Sequence, residues 1–366
     1  MRILRITLLL IFSVVWLLSV SSYEKVFPYL YRWGIIEDEY KYGDLFNLSK
    51  LPQFKDEMVK CTTPFPLESK SDRPLHLYVL GDSFLEPQRI DSSDFFADRY
   101  LYMKWDNFMH VRLDTSATNI VLIESVERHI RQHFETPVDH YFVPDTASFV
   151  RKWQDPRWMS RLDDFFRASR AEDQLSLILT SNRLGIAFKE LKSYLNLKLF
   201  NRTETGVTVS KDHQHIVYYL DTDTLNYPHT SGFSPITDNR IDSVVTAINE
   251  TAERLKAMGF DHMVLSLIPN KSSIVIPDYA TYNHLIERIQ AHPDLGVPFV
   301  NIMNEYRAMG VKAYLHSDSH WTCEARAVWV KKTNDLLQNL MTDPDNLPAD
   351  CMAPGSTRNL LGGLAN

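Results

Sequence analysis

Two short stretches of this chain carry the residue types of nucleophilic catalysis. Residues 81–84 read Gly-Asp-Ser-Phe and follow directly on the apolar run "LHLYVL" (75–80), and residues 317–322 read Ser-Asp-Ser-His-Trp-Thr. A serine hydroxyl attacks a carbonyl only when a base removes its proton. His320 is the candidate base for Ser83. Asp318 stands two residues before it, and in an extended turn residues two apart share a face. Its carboxylate can therefore fix the imidazole tautomer while Nε2 faces the serine hydroxyl. Gly81 permits a sharp turn, Asp82 can cap it, and the Ser83 N–H is the candidate oxyanion donor. Taken singly, each motif also reads as ordinary structure: a turn in one case, the start of a helix with Trp321 in the core in the other. Their joint placement favours catalysis, with the serine after a first strand and the Asp-x-His pair before a last helix.

Three further residues are candidates for support or substrate binding. Arg128 either braces the site by pairing with a carboxylate or is a solvated charge on a helix. Lys271, at a strand end, either meets a polysaccharide carboxylate or stands on the surface. Trp321 either stacks on a sugar ring or packs in the core. His213 and His215 alternate in a hairpin with no third ligand near, so no metal site is read there, and no cofactor is expected.

Elements that could position these groups are legible in the apolar pattern. "LHLYVL" (75–80), "NIVLIE" (119–124), "HMVLSLI" (262–268) and "VPFVNI" (297–302) read as buried strands. Val126, Ile130 and Phe134 have helical spacing. Ile241, Val244, Val245, Ile248, Leu255 and Met258 form a helical stripe ended by Gly259. "YNHLIERI" (282–289) is helical, and a last helix over 322–340 is capped by Thr322 and faces the core through Ala325, Val328, Trp329, Leu336 and Leu340. Alternation of strand and helix implies a parallel α/β sheet, whose active site lies beyond the carboxyl ends of its strands. The expected division is a signal anchor or signal peptide over 1–22, a lead-in over 23–73, a catalytic domain over 74–345 with a mainly helical insertion at about 146–240, and a tail over 346–366. Inside the insertion, 153–171 and 181–195 read as helical and 207–221 as a hairpin turning at Lys211–His213.

The chain has 366 residues, 44% hydrophobic and 23% charged, with a net charge of −7. A nucleic-acid partner is not expected from that balance. Arg2 and Arg5 precede a run from Ile6 to Tyr23 that holds no charge. Such a run suits a membrane anchor or an export signal, with a cytoplasmic N-terminus and an exported body. The three cysteines lack metal-ligand spacing. In an exported chain Cys61 with Cys351 is the expected pair, three free thiols being the alternative.

The strand–"GDSF" start and the C-terminal Asp/His resemble SGNH/GDSL-type hydrolases. The finer match is to the alginate O-acetyltransferase AlgJ/AlgX-like branch and its DHHW relatives. "DSHWT" (318–322) is similar to their Asp-x-His-Trp-Thr, "LIPNK" (267–271) to a strand ending in Pro-Asn-Lys, and "VLIESVERHI" (121–130) to their segment after the serine block. The hairpin at 207–221 is faintly similar to one in their catalytic domain. In those enzymes the Asp-x-His-Trp block comes before the serine block; here it comes after, in the manner of a circular permutation. The glycine and Gly-x-Asn-Asp blocks of most SGNH enzymes are not evident, and 146–205 is unmatched.

The resemblance implies a three-layer SGNH-like, flavodoxin-like parallel sheet flanked by helices. It implies serine acyl transfer on O-acetyl groups of a cell-envelope or exported polysaccharide, as an O-acetyltransferase or an acetylesterase. Ser83 is then nucleophile, His320 base and acid, and Asp318 orienter. The setting is a domain on the periplasmic side of an inner membrane, or a secreted protein if the N-terminal segment is cleaved. The implied partners are a carbohydrate substrate and a multi-spanning membrane acyltransferase that delivers acetyl groups. The competing expectation is a non-catalytic glycan-binding or assembly protein of an envelope complex that retains the fold.

Overall fold

A computed structural model describes residues 2–38, 40–45, 48–56, 59–69, 71–145, 162, 165–166, 170–203, 206–225 and 230–354. The strands are β1 (Leu75–Gly81), β2 (Arg99–Lys104), β3 (Met109–Val111), β4 (Thr118–Val126), β5 (Phe142–Pro144), β6 (Val207–Val209), β7 (Ile216–Tyr218), β8 (His262–Ile268) and β9 (Phe299–Val300). Five of them form one parallel sheet in the order β2-β1-β4-β8-β9. Counted along the chain this is 2-1-3-4-5, the flavodoxin-like doubly wound order, and the winding reverses between β1 and β4. β4 is buried at every position, and β1 and β8 at nearly every one. A strand buried on both faces needs cover on both, which is why these segments read as continuous apolar runs. β3 pairs with β5, and β6 with β7 forms the hairpin at 207–218.

Hydroxyl caps start the two 20-residue helices. The helix Asp238–Ala257 starts at Thr237, whose side chain accepts from the Arg240 N–H, and is followed by Gly259 at φ +103°. The last helix, Cys323–Thr342, starts at Thr322, whose hydroxyl accepts from the Ala325 N–H. Ala325, Trp329, Leu336 and Leu340 are buried along it, and the Trp329 Nε1–H donates to Ser266 Oγ on β8 at 2.9 Å.

Several expectations need correction. The helix read from Val126 is strand up to Val126, then a tight turn, Glu127–His129, and a single helical turn, Ile130–His133. β9 covers two residues rather than six, and the 282–289 helix starts only at Leu285, after His284 in the left-handed region at φ 56°. β2 was not expected; its charged ends and half-exposed middle suit a sheet edge. The helix expected at 153–171 falls mainly outside the described residues.

The chain divides into two compact units, Met1–Met58 with Ser148–Glu204, and Val59–Ala147 with Thr205–Asn366. The expected lead-in and insertion are thus each split between the two units. In the first unit Phe27, Leu30, Ile36 and Ile178 form a small core. Its helix Arg2–Ser19 has a mean hydropathy of 2.0 and is long and apolar enough to cross a membrane. Eighteen residues at the helical rise span about 27 Å.

Cys61 is bridged to Cys323, not to Cys351, with a Cα–Cα distance of 5.3 Å. Cys323 is the first residue of the last helix, directly after "DSHWT", so the bridge pins that block to the start of the unit. It closes a separation of 262 residues. Replacing both cysteines with serine is expected to cost about 2–5 kcal/mol of stability, read as a lower urea midpoint. An unchanged midpoint would show that the bridge contributes nothing in solution.

Candidate active site

The carboxyl ends of β1 and β4, at the reversal of winding, are where this topology places ligands. β1 ends at Gly81, where the chain must pass close to its neighbours. A Cβ there would lie 3.0 Å from the Glu124 carboxyl oxygen Oε2 and 2.9 Å from the Leu85 side chain. Close approach, not left-handed backbone, is therefore the reason for glycine. Asp82 then opens a 3₁₀ turn, Ser83–Leu85, accepting from the Phe84 N–H at 3.0 Å. Its other oxygen accepts from the Val126 N–H at 3.0 Å, and its own N–H donates to Glu124 Oε2 at 2.8 Å. The turn that carries the serine is thereby stitched to the end of β4.

Ser83 and His320, 237 residues apart, meet: His320 Nε2 lies 2.8 Å from Ser83 Oγ. His320 Nδ1 lies 2.5 Å from Asp318 Oδ1, which also accepts from the His320 backbone N–H at 2.8 Å. Asp318 and His320 are buried and Ser83 is half-buried. With Asp318 ionised, Nδ1 carries the hydrogen and Nε2 is left to accept from the serine. Burial pushes the Asp318 carboxyl up, but the His320 hydrogen bonds and the Arg89 charge outweigh it and hold it well below the usual carboxylate range. At the first position of its turn the Ser83 N–H has no intra-turn acceptor, as an oxyanion donor requires.

Arg89 has no signal in the sequence beyond its place six residues after the serine. Its guanidinium donates to the Ser83 carbonyl at 3.2 Å and lies 4.0 Å from Asp318 Oδ2. One side chain thus spans both halves of the relay.

The remaining candidates fall in different places. Arg128 lies on the tight turn after β4, 3.6 Å from the buried Asp221 carboxylate, and its backbone N–H donates to Asn270 Oδ1. Lys271 is neither at the surface nor placed to meet a substrate. It is 1% exposed, and its Nζ donates to the carbonyls of Ile216, His316 and Asp318 at 2.6, 2.8 and 3.1 Å. Three donors meeting three acceptors clamp the loop that carries Asp318 to β7. Trp321 is 4% exposed and packs on Phe84 and Trp329, so no face of it is open to a sugar ring. Phe84 in turn packs against the His320 imidazole.

Three buried carboxyls, Asp82, Glu124 and Glu127, lie at the carboxyl ends of β1 and β4. Burial, then the Asp82 charge, raises Glu124 well above the usual range. Asp82 itself is held well below it: burial acts upward, but the neighbouring His129 ring, the Arg128 charge and the Phe84 N–H prevail. Glu127 is pushed up to about 7 by burial, against hydrogen bonds from Ser273 Oγ at 2.6 Å and the Asn270 N–H at 2.9 Å.

A raised folded-state value means that the fold prefers the protonated acid. The stability so gained is complete below the unfolded value, near 4.3, and is lost as pH rises through about 7. At about 1.4 kcal/mol per pH unit this is on the order of 3 kcal/mol. Buried His133 and His215, both held below the usual imidazole range by burial, act in the opposite direction over the same interval, so the Glu127 contribution is read as a difference. Glu127→Gln, which mimics the neutral acid, is expected to gain stability to urea relative to wild type as pH rises from 5 to 8, and an unchanged difference between the two proteins would contradict the assignment.

Comparison with protein-family models, curated proteins and solved structures gave no match. The reading of the site therefore rests on the residues and their geometry.

Proposed function

We infer that this chain is a membrane-anchored, extracytoplasmic serine acyl-transfer enzyme. It acts on O-acetyl groups of a cell-envelope or exported polysaccharide, as an O-acetyltransferase or acetylesterase. The observation that carries the reading is the continuous hydrogen-bonded relay Ser83–His320–Asp318 beside the reversal of winding in the sheet.

The steps follow from that relay. Ser83 Oγ attacks the acetyl carbonyl as His320 Nε2 takes its proton. The carbonyl oxygen, now negative, faces the Ser83 N–H. The ester C–O bond breaks, the leaving alcohol takes the proton from His320, and acetyl-Ser83 remains. An acceptor hydroxyl then attacks acetyl-Ser83 with its proton passing to His320, and Ser83 leaves carrying that proton. A sugar hydroxyl as acceptor makes the protein a transferase, water an esterase. The carbohydrate class and the delivery of acetyl groups by a multi-spanning membrane acyltransferase are supported only by the short motifs that resemble AlgJ/AlgX-like proteins.

Export of the catalytic unit is supported by two basic residues, Arg2 and Arg5, at the start of the apolar helix and by the Cys61–Cys323 bridge, since disulfides persist in oxidising compartments. The test is intact-mass analysis after incubation with an activated acetyl ester. Gain of one acetyl group, located on Ser83, is expected, and candidate glycans added afterwards separate transfer from hydrolysis. Absence of the adduct together with absence of turnover would leave a glycan-binding role as the better reading.

A further inference from the structure

The unit that holds the apolar N-terminal helix carries a second apolar surface. Its helix Arg183–Phe200 buries one side, through Ile186, Ser193 and Leu197. Outward it presents Leu184, Phe188, Leu191, Leu195 and Leu199, the first two 73% and 71% exposed and the last 68%. At 3.6 residues per turn these five positions fall within an arc of roughly 80°. A helix on a protein surface normally turns its polar side to water; this one is apolar on both sides. Lys192 and Lys198 are exposed at the two borders of the outward stripe, and across the helix Arg183, Lys189, Lys192 and Lys198 face a single acid, Glu190. A basic helix is set in a chain whose net charge is −7.

The position of this helix within its unit is defined. Asn182 caps it, accepting from the Gly185 N–H, and Ser181 and Asn182 are all that separate it from the helix Ala171–Thr180. A Cβ at Gly185 would lie 2.4 Å from the Thr180 carbonyl oxygen, so glycine lets the two helices meet closely. Ala171–Thr180 in turn packs beside Arg2–Ser19. With its amide correctly oriented, Gln174 donates to the Ser19 and Ser21 carbonyls at 2.9 Å, at the very end of the apolar helix. If Arg2–Ser19 spans the bilayer, the helix hairpin starts where the span reaches the headgroups.

We propose that the outward stripe of Arg183–Phe200 lies in the plane of the membrane surface, its leucines and Phe188 among the acyl chains and its lysines on anionic headgroups. An apolar stripe bordered by cationic side chains is the composition of an interfacial helix. Its continuity with the membrane-crossing helix through Ala171–Thr180 selects lipid as the occupant.

The test uses the full chain with Cys351→Ser, reconstituted in vesicles of pure lipid. Nitroxide labels are placed at Phe188→Cys, Leu195→Cys and, as an aqueous control, at Lys211→Cys on the hairpin turn. Relaxation by oxygen is expected to exceed that by an aqueous nickel complex several-fold at 188 and 195 and to be the lesser at 211. Protection at 188 and 195 should increase when phosphatidylglycerol replaces part of the phosphatidylcholine. Phe188→Glu with Leu195→Glu, both on the outer side, should leave the thermal unfolding and the turnover of a soluble acetyl ester as in wild type. In that background a label at Leu191→Cys should become accessible to nickel. Nickel-accessible labels at 188 and 195 in pure lipid overturn the proposal, and shielding that appears only in native membranes would assign the stripe to a protein partner. Equal protection with and without phosphatidylglycerol overturns the headgroup part.

Discussion

Ser83→Ala and His320→Ala each lower kcat/KM for an activated acetyl ester by about 10⁴-fold or more, and the double variant is no slower than either single one. The expectation follows from the 2.8 Å contact between Nε2 and Oγ. Neither group accomplishes the step alone: the hydroxyl is a weak nucleophile without a base, and the imidazole has no proton to take without the hydroxyl. Removing the second after the first costs nothing further. Two independent contributors would instead give losses that multiply. The same variants distinguish the chemistry from folding. Ser83 is half-buried, so loss of one oxygen leaves a minor packing change, and Ser83→Ala should unfold near the wild-type temperature while failing to take up acetyl. Undiminished acetyl uptake by Ser83→Ala would remove the nucleophile from the scheme.

What made the site legible was chemistry concentrated in short spans. Asp318 and His320 are two residues apart, and their bond is local, so the sequence alone predicts it. The contact with Ser83 is not local, but topology carries it. A serine just after the first strand and a histidine just before the last helix both belong at the carboxyl ends of a parallel sheet. Arg89 was invisible because its work is tertiary, joining the Ser83 carbonyl to the Asp318 carboxylate, and nothing in "FLEPQR" announces either partner. Lys271 was misplaced for the opposite reason. A lysine after a strand usually reaches solvent, but here three carbonyls, one from β7 and two from the loop that carries Asp318, converge on it and solvate it in place of water. Trp321 is ambiguous in sequence, because stacking on a sugar and packing on Phe84 ask for the same ring. The division of the chain was obscured by its discontinuity. Residues 148–204 belong with the N-terminal segment, and a pattern read along the chain registers an insertion without showing what it joins.

Asp318→Asn is expected to cost about 10³–10⁴-fold in kcat with little change in KM. Three donors converge on this carboxylate. His320 offers Nδ1–H and its backbone N–H to Oδ1, and the Arg89 guanidinium stands 4.0 Å from Oδ2. A carboxylate accepts on both oxygens; an amide has only one acceptor. With its oxygen toward His320, asparagine points its NH₂ at a cationic guanidinium. Turned the other way, it meets the backbone N–H with a donor and drives the imidazole to the tautomer with hydrogen on Nε2. That tautomer cannot take the proton of Ser83. Either arrangement leaves a buried donor unpaired, which adds on the order of 1–3 kcal/mol of lost stability. The pairing of effects is what identifies the role. A merely structural aspartate would lower the unfolding free energy and spare kcat at temperatures where the protein stays folded. Here kcat should collapse in fully folded protein, and a variant turning over within tenfold of wild type would show that His320 keeps its tautomer without Asp318.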